Sequence, residues 1–136
     1  MPLDKGAGKS FAPNADRQNK TVGLISDSDV IMDDGIKTTK RNLSEIANAS
    51  TIIWNGTFGM AEWGERWGYS TYSMARAIAE QTQNKGAVSV VGGGDTVAAL
   101  DAIGVRDCIS YVSTGGGAFL EFIEKRELPA ISVLKI

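Results

Sequence analysis

The sequence predicts an α/β fold, a parallel sheet with flanking helices. Three observations carry this. Short apolar runs rich in β-branched residues read as buried strands: Thr51-Ile52-Ile53-Trp54, Ala87-Val88-Ser89-Val90-Val91 and Ile109-Ser110-Tyr111-Val112. Each run is followed by glycines and then by a helical period. Glycine is in excess, at 16 of 136 residues, or about 12% against ~7% in ordinary chains. Strands without polar alternation, joined by helices, belong to a parallel sheet covered on both faces. The expected layout is therefore three layers of helix, sheet and helix, a Rossmann-like arrangement. Only three or four strands are legible, few for a doubly wound domain, so a partial domain is expected.

The elements follow in order. Residues 1–30 are polar and weakly patterned, and read as a mostly extended lead-in with one short strand at residues 21–25. A structureless lead-in of that length is unusual in a compact domain. Residues 36–48 put Ile36, Leu43, Ile46 and Ala47 on one helical face. The strand ending at Trp54 runs into a loop with glycine at 56, 59, 64 and 68. Ser70 reads as the N-cap of a helix through residue 83, with Met74, Ala75, Ile78 and Ala79 inward. The second strand leads to Gly92-Gly93-Gly94 and a helix over residues 95–103. The third leads to Gly115-Gly116-Gly117 and a helix through residue 125. Residues 130–134 read as a last strand or a tail.

Composition excludes several chemistries. The chain has no histidine, so it can hold neither a Ser-His-Asp triad nor an HExxH zinc site. Its single cysteine, Cys108, allows no intrachain disulfide and fits a reducing, cytoplasmic compartment. The formal charge of -2 argues against nucleic-acid binding by bulk electrostatics. No apolar run is long enough to span a membrane, and Met1-Pro2-Leu3-Asp4-Lys5 lacks the apolar core of a signal peptide. Trp54, Trp63 and Trp67 read as packing residues.

The two triglycine turns are the strongest signal. A helix N-terminus offers free N–H groups and a partial positive charge, and glycine lets an anion approach the backbone closely. In a parallel sheet both turns lie at the carboxyl edge of the strands. Two such turns facing one crevice suit a polyphosphate; the plainer reading is tight turns with glycine for packing. Asp95 follows the first triplet. It is either a first-turn acid favoured by the helix dipole or a carboxylate for Mg²⁺, which is usually shared with substrate phosphates. Thr96, Ser113 and Thr114 add hydroxyls. The loop after Trp54 offers an amide (Asn55), glycines, an apolar surface (Met60) and a carboxylate (Glu62), a set that suits a purine nucleoside as well as an ordinary loop. Gly6-Ala7-Gly8-Lys9-Ser10 ends like a P-loop, but Leu3 stands where the motif needs glycine and no preceding strand is expected.

Taken together, Trp54-Asn55-Gly56-x-x-Gly59 with Glu62, then Gly92-Gly93-Gly94-Asp95-Thr96, then Ser113-Thr114-Gly115-Gly116-Gly117-Ala118-x-Leu120-Glu121, and finally Glu127-Leu128-Pro129 resemble phosphoglycerate kinase. The resemblance spans essentially the whole chain but only roughly the last third of that family's length. It implies reversible phosphoryl transfer between 1,3-bisphosphoglycerate and Mg-ADP, giving 3-phosphoglycerate and ATP. The triose would be bound through an amino-terminal domain outside this chain. By the same resemblance, Asp95 would meet the nucleotide's Mg²⁺ and Thr96 its phosphates, beside Gly92, Gly93, Gly94 and Thr114. Gly115, Gly116 and Gly117 would face the transferred phosphoryl group as the catalytic turn. Asn55 and Glu62 would contact the nucleotide, Glu62 at the ribose, and Gly59, Met60 and Met32 would line the base site. Thr57 stands where the family usually has proline, Ile36 where proline is common, and Phe119 where a small residue is usual. No Lys or Arg lies within the triglycine turns. The chain is therefore expected to bind nucleotide weakly by itself, to be inactive alone, and to self-associate through its exposed sheet. The alternative is a non-catalytic nucleotide- or anion-binding α/β module.

Overall fold

The computed structural model describes residues 1–133. Two three-stranded sheets of different polarity organise them. The first is antiparallel, in the order β2-β1-β3, built from Asp4–Gly8 (β1), Gln18–Thr21 (β2) and Val30–Asp34 (β3). The second is parallel, in the order β4-β5-β6, built from Thr51–Asn55 (β4), Val88–Gly92 (β5) and Tyr111–Ser113 (β6). The helices are Ile36–Ile46 (α1), Glu65–Lys85 (α2), Gly94–Ala102 (α3) and Gly116–Lys125 (α4). A single helical turn, Pro129–Ser132 (α5), lies where a last strand or tail was expected; Leu134 falls outside the described residues. The α/β class and the flanked parallel sheet are as the sequence predicts.

The antiparallel sheet is the main difference. In place of a loose lead-in, the first thirty residues hold two strands, and the chain at 22–24 turns as a short 3-10 helix where a strand was expected. β1 is Asp-Lys-Gly-Ala-Gly, with no apolar period to reveal it. Its burial comes from remote partners. A Cβ on Gly8 would meet the Met32 side chain and lie 3.4 Å from the Trp67 ring, and one on Gly6 would meet the Arg17 guanidinium. Ala15, Met32 and Trp67 form the small core beneath. β1 also supplies the strand denied to the Gly8-Lys9-Ser10 segment, but no helix follows it. Lys9 is instead tied to Asp29 and Ser28, each at 2.9 Å.

Ser70 is not an N-cap. α2 starts five residues earlier, at Glu65, after Gly64 with φ +81°. Ser70 is fully buried; its hydroxyl donates to the Asp34 carbonyl at 3.1 Å and shares a hydrogen bond with the Thr39 hydroxyl at 2.7 Å. It joins α2 to α1 and β3. Helix α1 also buries a different face from the one read in the sequence. Thr38 and Thr39 are its buried residues, while Ile36 and Ala47 are exposed and Leu43 and Ile46 half-buried. The side chains toward the polar elements β1 and β3 are hydroxyls that satisfy buried backbone groups.

The main core lies on one face of the parallel sheet. Ile52, Trp54 and Val91 pack there with Ala75, Ile78 and Ala79 of α2 and Leu100 of α3. The opposite face carries Ile53, Val88 and Tyr111, all exposed. The ladder register aligns Trp54, Val91 and Val112, then Asn55, Gly92 and Ser113 in the next row. All three strands thus end level, and both triglycine turns leave the sheet at the same edge.

Candidate functional site

The row Asn55–Gly92–Ser113 is the rim of the candidate site. β5 and β6 are immediate neighbours, so the two turns touch. Gly93 donates its N–H to the Ser113 carbonyl at 3.1 Å. A Cβ on Gly116 would lie 3.1 Å from the Gly93 Cα. Asn55 sits over both turns: its Nδ2 donates to the Gly116 carbonyl at 3.3 Å, and its Oδ1 lies 2.6 Å from the place a Gly93 Cβ would take. The N-termini of α3 and α4 are therefore side by side, with one amide side chain between them.

The six glycines of the two turns separate by what surrounds them. Gly93 needs its lack of a side chain, because its φ is +97° and Asn55 fills the space. Gly116 is crowded by Gly93, and Gly92 by the Phe119 ring. Gly94 and Gly117 are different. A Cβ at either would meet nothing within 4 Å, and at Gly115 it would make only an ordinary contact with Ala118 at 3.7 Å. Packing within the chain accounts for three of the glycines; Gly94 and Gly117 present bare backbone to open space, and Gly115 has room for a side chain.

Glu62 and Asp95 come together although they are distant in sequence. Both line a cavity of about 440 Å³ with Thr57, Ala61, Tyr72 and the α3 alanines Ala98, Ala99 and Ala102. That volume lies within the usual range for small-molecule sites, about 300–1,000 Å³. Asp95 stands in the first turn of α3, where the helix dipole favours a carboxylate. Glu62 is in the 3-10 turn Ala61–Trp63, which is held by the Tyr72 hydroxyl donating to the Ala61 carbonyl at 2.9 Å. Thr96 is fully buried, and its Oγ1 accepts the Gly56 N–H at 2.9 Å. That bond ties the loop after β4 to α3 and leaves the hydroxyl proton to donate. Thr114 is exposed at the rim of the second turn.

The other sequence-derived positions lie apart from this cavity. Met32 is 3% exposed and packs with Ala15 and Trp67, and Met60 packs against the same cluster. The Met60 N–H donates to the Met32 carbonyl at 3.1 Å. Gly59 is wedged against the Trp67 carbonyl and the Asp33 carboxylate, where a Cβ has no room. Asp33 itself went unnoticed in the sequence. It is buried, paired with Arg17 at 2.7 Å, and accepts the Ser70 amide at 3.2 Å. Burial pushes its carboxyl above the ordinary value, against the pull of Arg17 and Ser70. Its partners lie within the fold and far along the chain, at Arg17 and Ser70, so no local pattern in the sequence marks it.

Among the described residues, no group of three or more His, Cys, Asp or Glu side chains could hold a metal ion. A metal caged by protein alone does not fit. One carboxylate at a helix N-terminus, sharing Mg²⁺ with ligand phosphates, does fit, and Asp95 has that placement. Nor is any described helix long and apolar enough to cross a membrane.

Comparison with known proteins agrees with the motif reading. A sequence profile described as phosphoglycerate kinase matches residues 1–126. The chain is 44% identical to the phosphoglycerate kinase of Histophilus somni over 135 residues, which is 99% of this chain and 34% of that protein. It superposes on the structure of phosphoglycerate kinase from Coxiella burnetii with a TM-score of 0.85 at 40% identity, covering 98% of this chain and 33% of the other. Against the enzyme from Pyrococcus horikoshii OT3 the TM-score is 0.80 at 29% identity, covering 99% and 32%. The chain thus spans about a third of the length of these relatives.

Proposed function

The chain belongs to the phosphoglycerate kinase family, and on that footing we propose that it supplies part of the nucleotide side of a carboxyl-phosphate kinase. The whole reaction is phosphoryl transfer between 1,3-bisphosphoglycerate and Mg-ADP, giving 3-phosphoglycerate and ATP. The carrying observation is the pair of adjacent helix N-termini whose glycines Gly94, Gly115 and Gly117 sit where the fold has room for a side chain. Internal packing gives those three positions no reason to be glycine, whereas close approach of phosphate oxygens does.

In this reading the α3 turn, Gly92 to Thr96, receives the nucleotide phosphates with Thr114 at their flank. Asp95 would hold the Mg²⁺ they carry through one carboxylate, and the ion would supply charge neutralisation on the phosphates. The N–H groups of Gly115, Gly116 and Gly117 face the phosphoryl group in transit. Fixed amide dipoles aimed at developing charge cost no reorganisation during the reaction. Asn55 bridges the turns, and Glu62 accepts the ribose hydroxyls in the shared cavity. Of Met32, Gly59 and Met60, assigned to the base, Met32 is buried in the core, so Met60 is the side chain with surface left to meet it.

Phosphoryl transfer depends on positioning and on cationic stabilisation. The turns of this chain hold no Lys or Arg, so the chain alone binds Mg-nucleotide weakly and does not turn over. The triose is met by the part of the enzyme that this chain does not span, and the setting is glycolytic and cytoplasmic. Amide NMR of the chain titrated with Mg-ADP tests the reading. Peaks of residues 92–96, 114–117 and 55–62 are expected to shift; a dispersed spectrum that ignores Mg-ADP would favour a structural α/β module. A coupled kinase assay is expected to read no turnover. Rates on the order of 1–100 s⁻¹, ordinary for kinases, would overturn the inactivity of the chain alone.

A further inference from the structure

Helix α4 carries the amides assigned above to the phosphoryl group, yet none of its residues is fully buried. Leu120, Phe122 and Ile123 are about half exposed. Two attachments to the sheet lie in its first turn. One attachment is Asn55 on the Gly116 carbonyl. The other is Phe119, whose ring lies on Gly92, where a Cβ would overlap it.

Side chains alternate across a strand, so the missing Cβ of Gly92 points to the same face as Val88 and Val90. That is the face opposite the main core, where Ile53, Val88 and Tyr111 are exposed. Phe119 occupies the position of the absent Gly92 side chain and fills the corner of that face next to the rim. The Phe119 N–H donates to the Gly115 carbonyl at 2.8 Å, so the ring and the glycine turn are one bonded helical turn apart.

We infer that Phe119 is a positioning residue: its ring, seated on Gly92, fixes where the Gly116 and Gly117 amides stand relative to the α3 turn. The inference rests on the nucleotide reading above. The physical basis is complementarity of shape. Gly92 offers bare backbone on a strand end held in the ladder by its neighbours, and an aromatic ring covers it with two torsions to fix. Loss of the ring leaves Asn55 as the side chain bonded to that turn, through one neutral hydrogen bond at 3.3 Å, which is weak.

Amide NMR of the whole chain tests this with Phe119→Ala, Phe119→Leu and Gly92→Ala, free and titrated with Mg-ATP. In the free wild type, one Gly92 Hα is expected upfield from the ring current, and Phe119→Leu abolishes that signature. With Mg-ATP, Phe119→Ala is expected to keep the shifts of residues 94–96 and to lose most of the shift amplitude at Gly116 and Gly117. Half-saturation should rise roughly tenfold, the worth of one hydrogen bond to a charged group. Phe119→Leu should restore most of the amplitude. Gly92→Ala should also lose amplitude at Gly116 and Gly117, and the double variant should lose no more there than either single one, because both remove the same contact. Unchanged amplitudes at Gly116 and Gly117 in Phe119→Ala, or an equal loss at both turns, would overturn the inference and leave the nucleotide reading standing. A wild-type spectrum that ignores Mg-ATP would remove both.

Discussion

The Asp4 carboxylate accepts the Thr38 amide at 2.8 Å and the Lys37 amide at 3.1 Å, so the first strand caps the first helix from 34 residues away. The position that would ordinarily do this, Gly35, has no side chain, and the Asp4 carboxyl fills the space a Cβ there would need. Thr38 returns the contact by donating its hydroxyl to the Asp4 carbonyl at 2.7 Å.

Asp4→Ala is expected to cost about 1–2 kcal/mol, the loss of a good helix cap. The acid limb of stability should change with it. Burial raises the Asp4 carboxyl, but the Thr38 and Lys37 amides outweigh burial, and the net direction is below the ordinary 3.8. A carboxyl lowered in the folded state contributes stability that is present above the unfolded value and lost as pH falls through the folded one. Urea midpoints between pH 7 and pH 3 should therefore drop less steeply in Asp4→Ala than in the wild type. Parallel slopes would mean that Asp4 is no cap.

Arg17 is the second long-range anchor. It pairs with Asp33, donates to the Asp34 carbonyl at 2.8 Å, and lies 5.6 Å from the Trp67 ring centroid. Arg17→Ala leaves a buried carboxylate without its cation, a loss of about 3–5 kcal/mol. The pH sign here is opposite to that of Asp4. The Asp33 carboxyl is already raised by burial, and removing Arg17 raises it further. A group raised in the folded state favours folding when protonated, so the Arg17→Ala deficit should shrink as pH falls from 7 toward 5. Arg17→Ala with Asp33→Asn should recover part of the loss at pH 7. A deficit independent of pH would show that packing on Trp67, not charge, is what Arg17 contributes.

These two anchors explain what the sequence conceals. The parallel sheet was legible because Ile52, Trp54 and Val91 bury apolar surface in short runs, and because glycine marks the strand ends. The antiparallel sheet was not, since Asp4, Asp33 and Asp34 are buried polar residues whose partners lie far along the chain, and periodicity carries no trace of such pairs. The start of α2 was misplaced for a related reason. Ser70 is a favoured cap residue, yet its hydroxyl answers buried groups of α1 and β3, while the true start follows Gly64 at positive φ. At the candidate site, the shared sheet edge of the two glycine turns was readable from the order of strands and turns. The meeting of Glu62 and Asp95 on one cavity was not, because it depends on how α3 packs against the 3-10 turn after β4.

The glycines of the two turns should divide by function. Gly94→Ala and Gly117→Ala place a methyl in open space within helices and should stabilise the fold by up to about 1 kcal/mol. They should also weaken Mg-ATP binding, because the methyl stands where a phosphate must approach. Gly93→Ala forces a residue with a Cβ to φ +97° against Asn55, and should cost about 1–3 kcal/mol. Thermal melts and titrations on the same samples separate the two effects. Unaltered binding in both Gly94→Ala and Gly117→Ala would return these glycines to a purely local role.

The two carboxylates of the cavity should separate by ligand. Glu62→Gln removes a charged acceptor from the nucleoside part, so adenosine and Mg-ADP should weaken alike, roughly tenfold. Asp95→Asn acts through the metal, so Mg-ADP should weaken while adenosine is unaffected. The competing role for Asp95 is that of a first-turn acid, worth about 0.3–1 kcal/mol of helix stability. Under that role alone, Asp95→Asn would lower the melting temperature slightly and leave the magnesium dependence of ADP binding unchanged. Calorimetric titration of both variants with adenosine, ADP and Mg-ADP decides between the two.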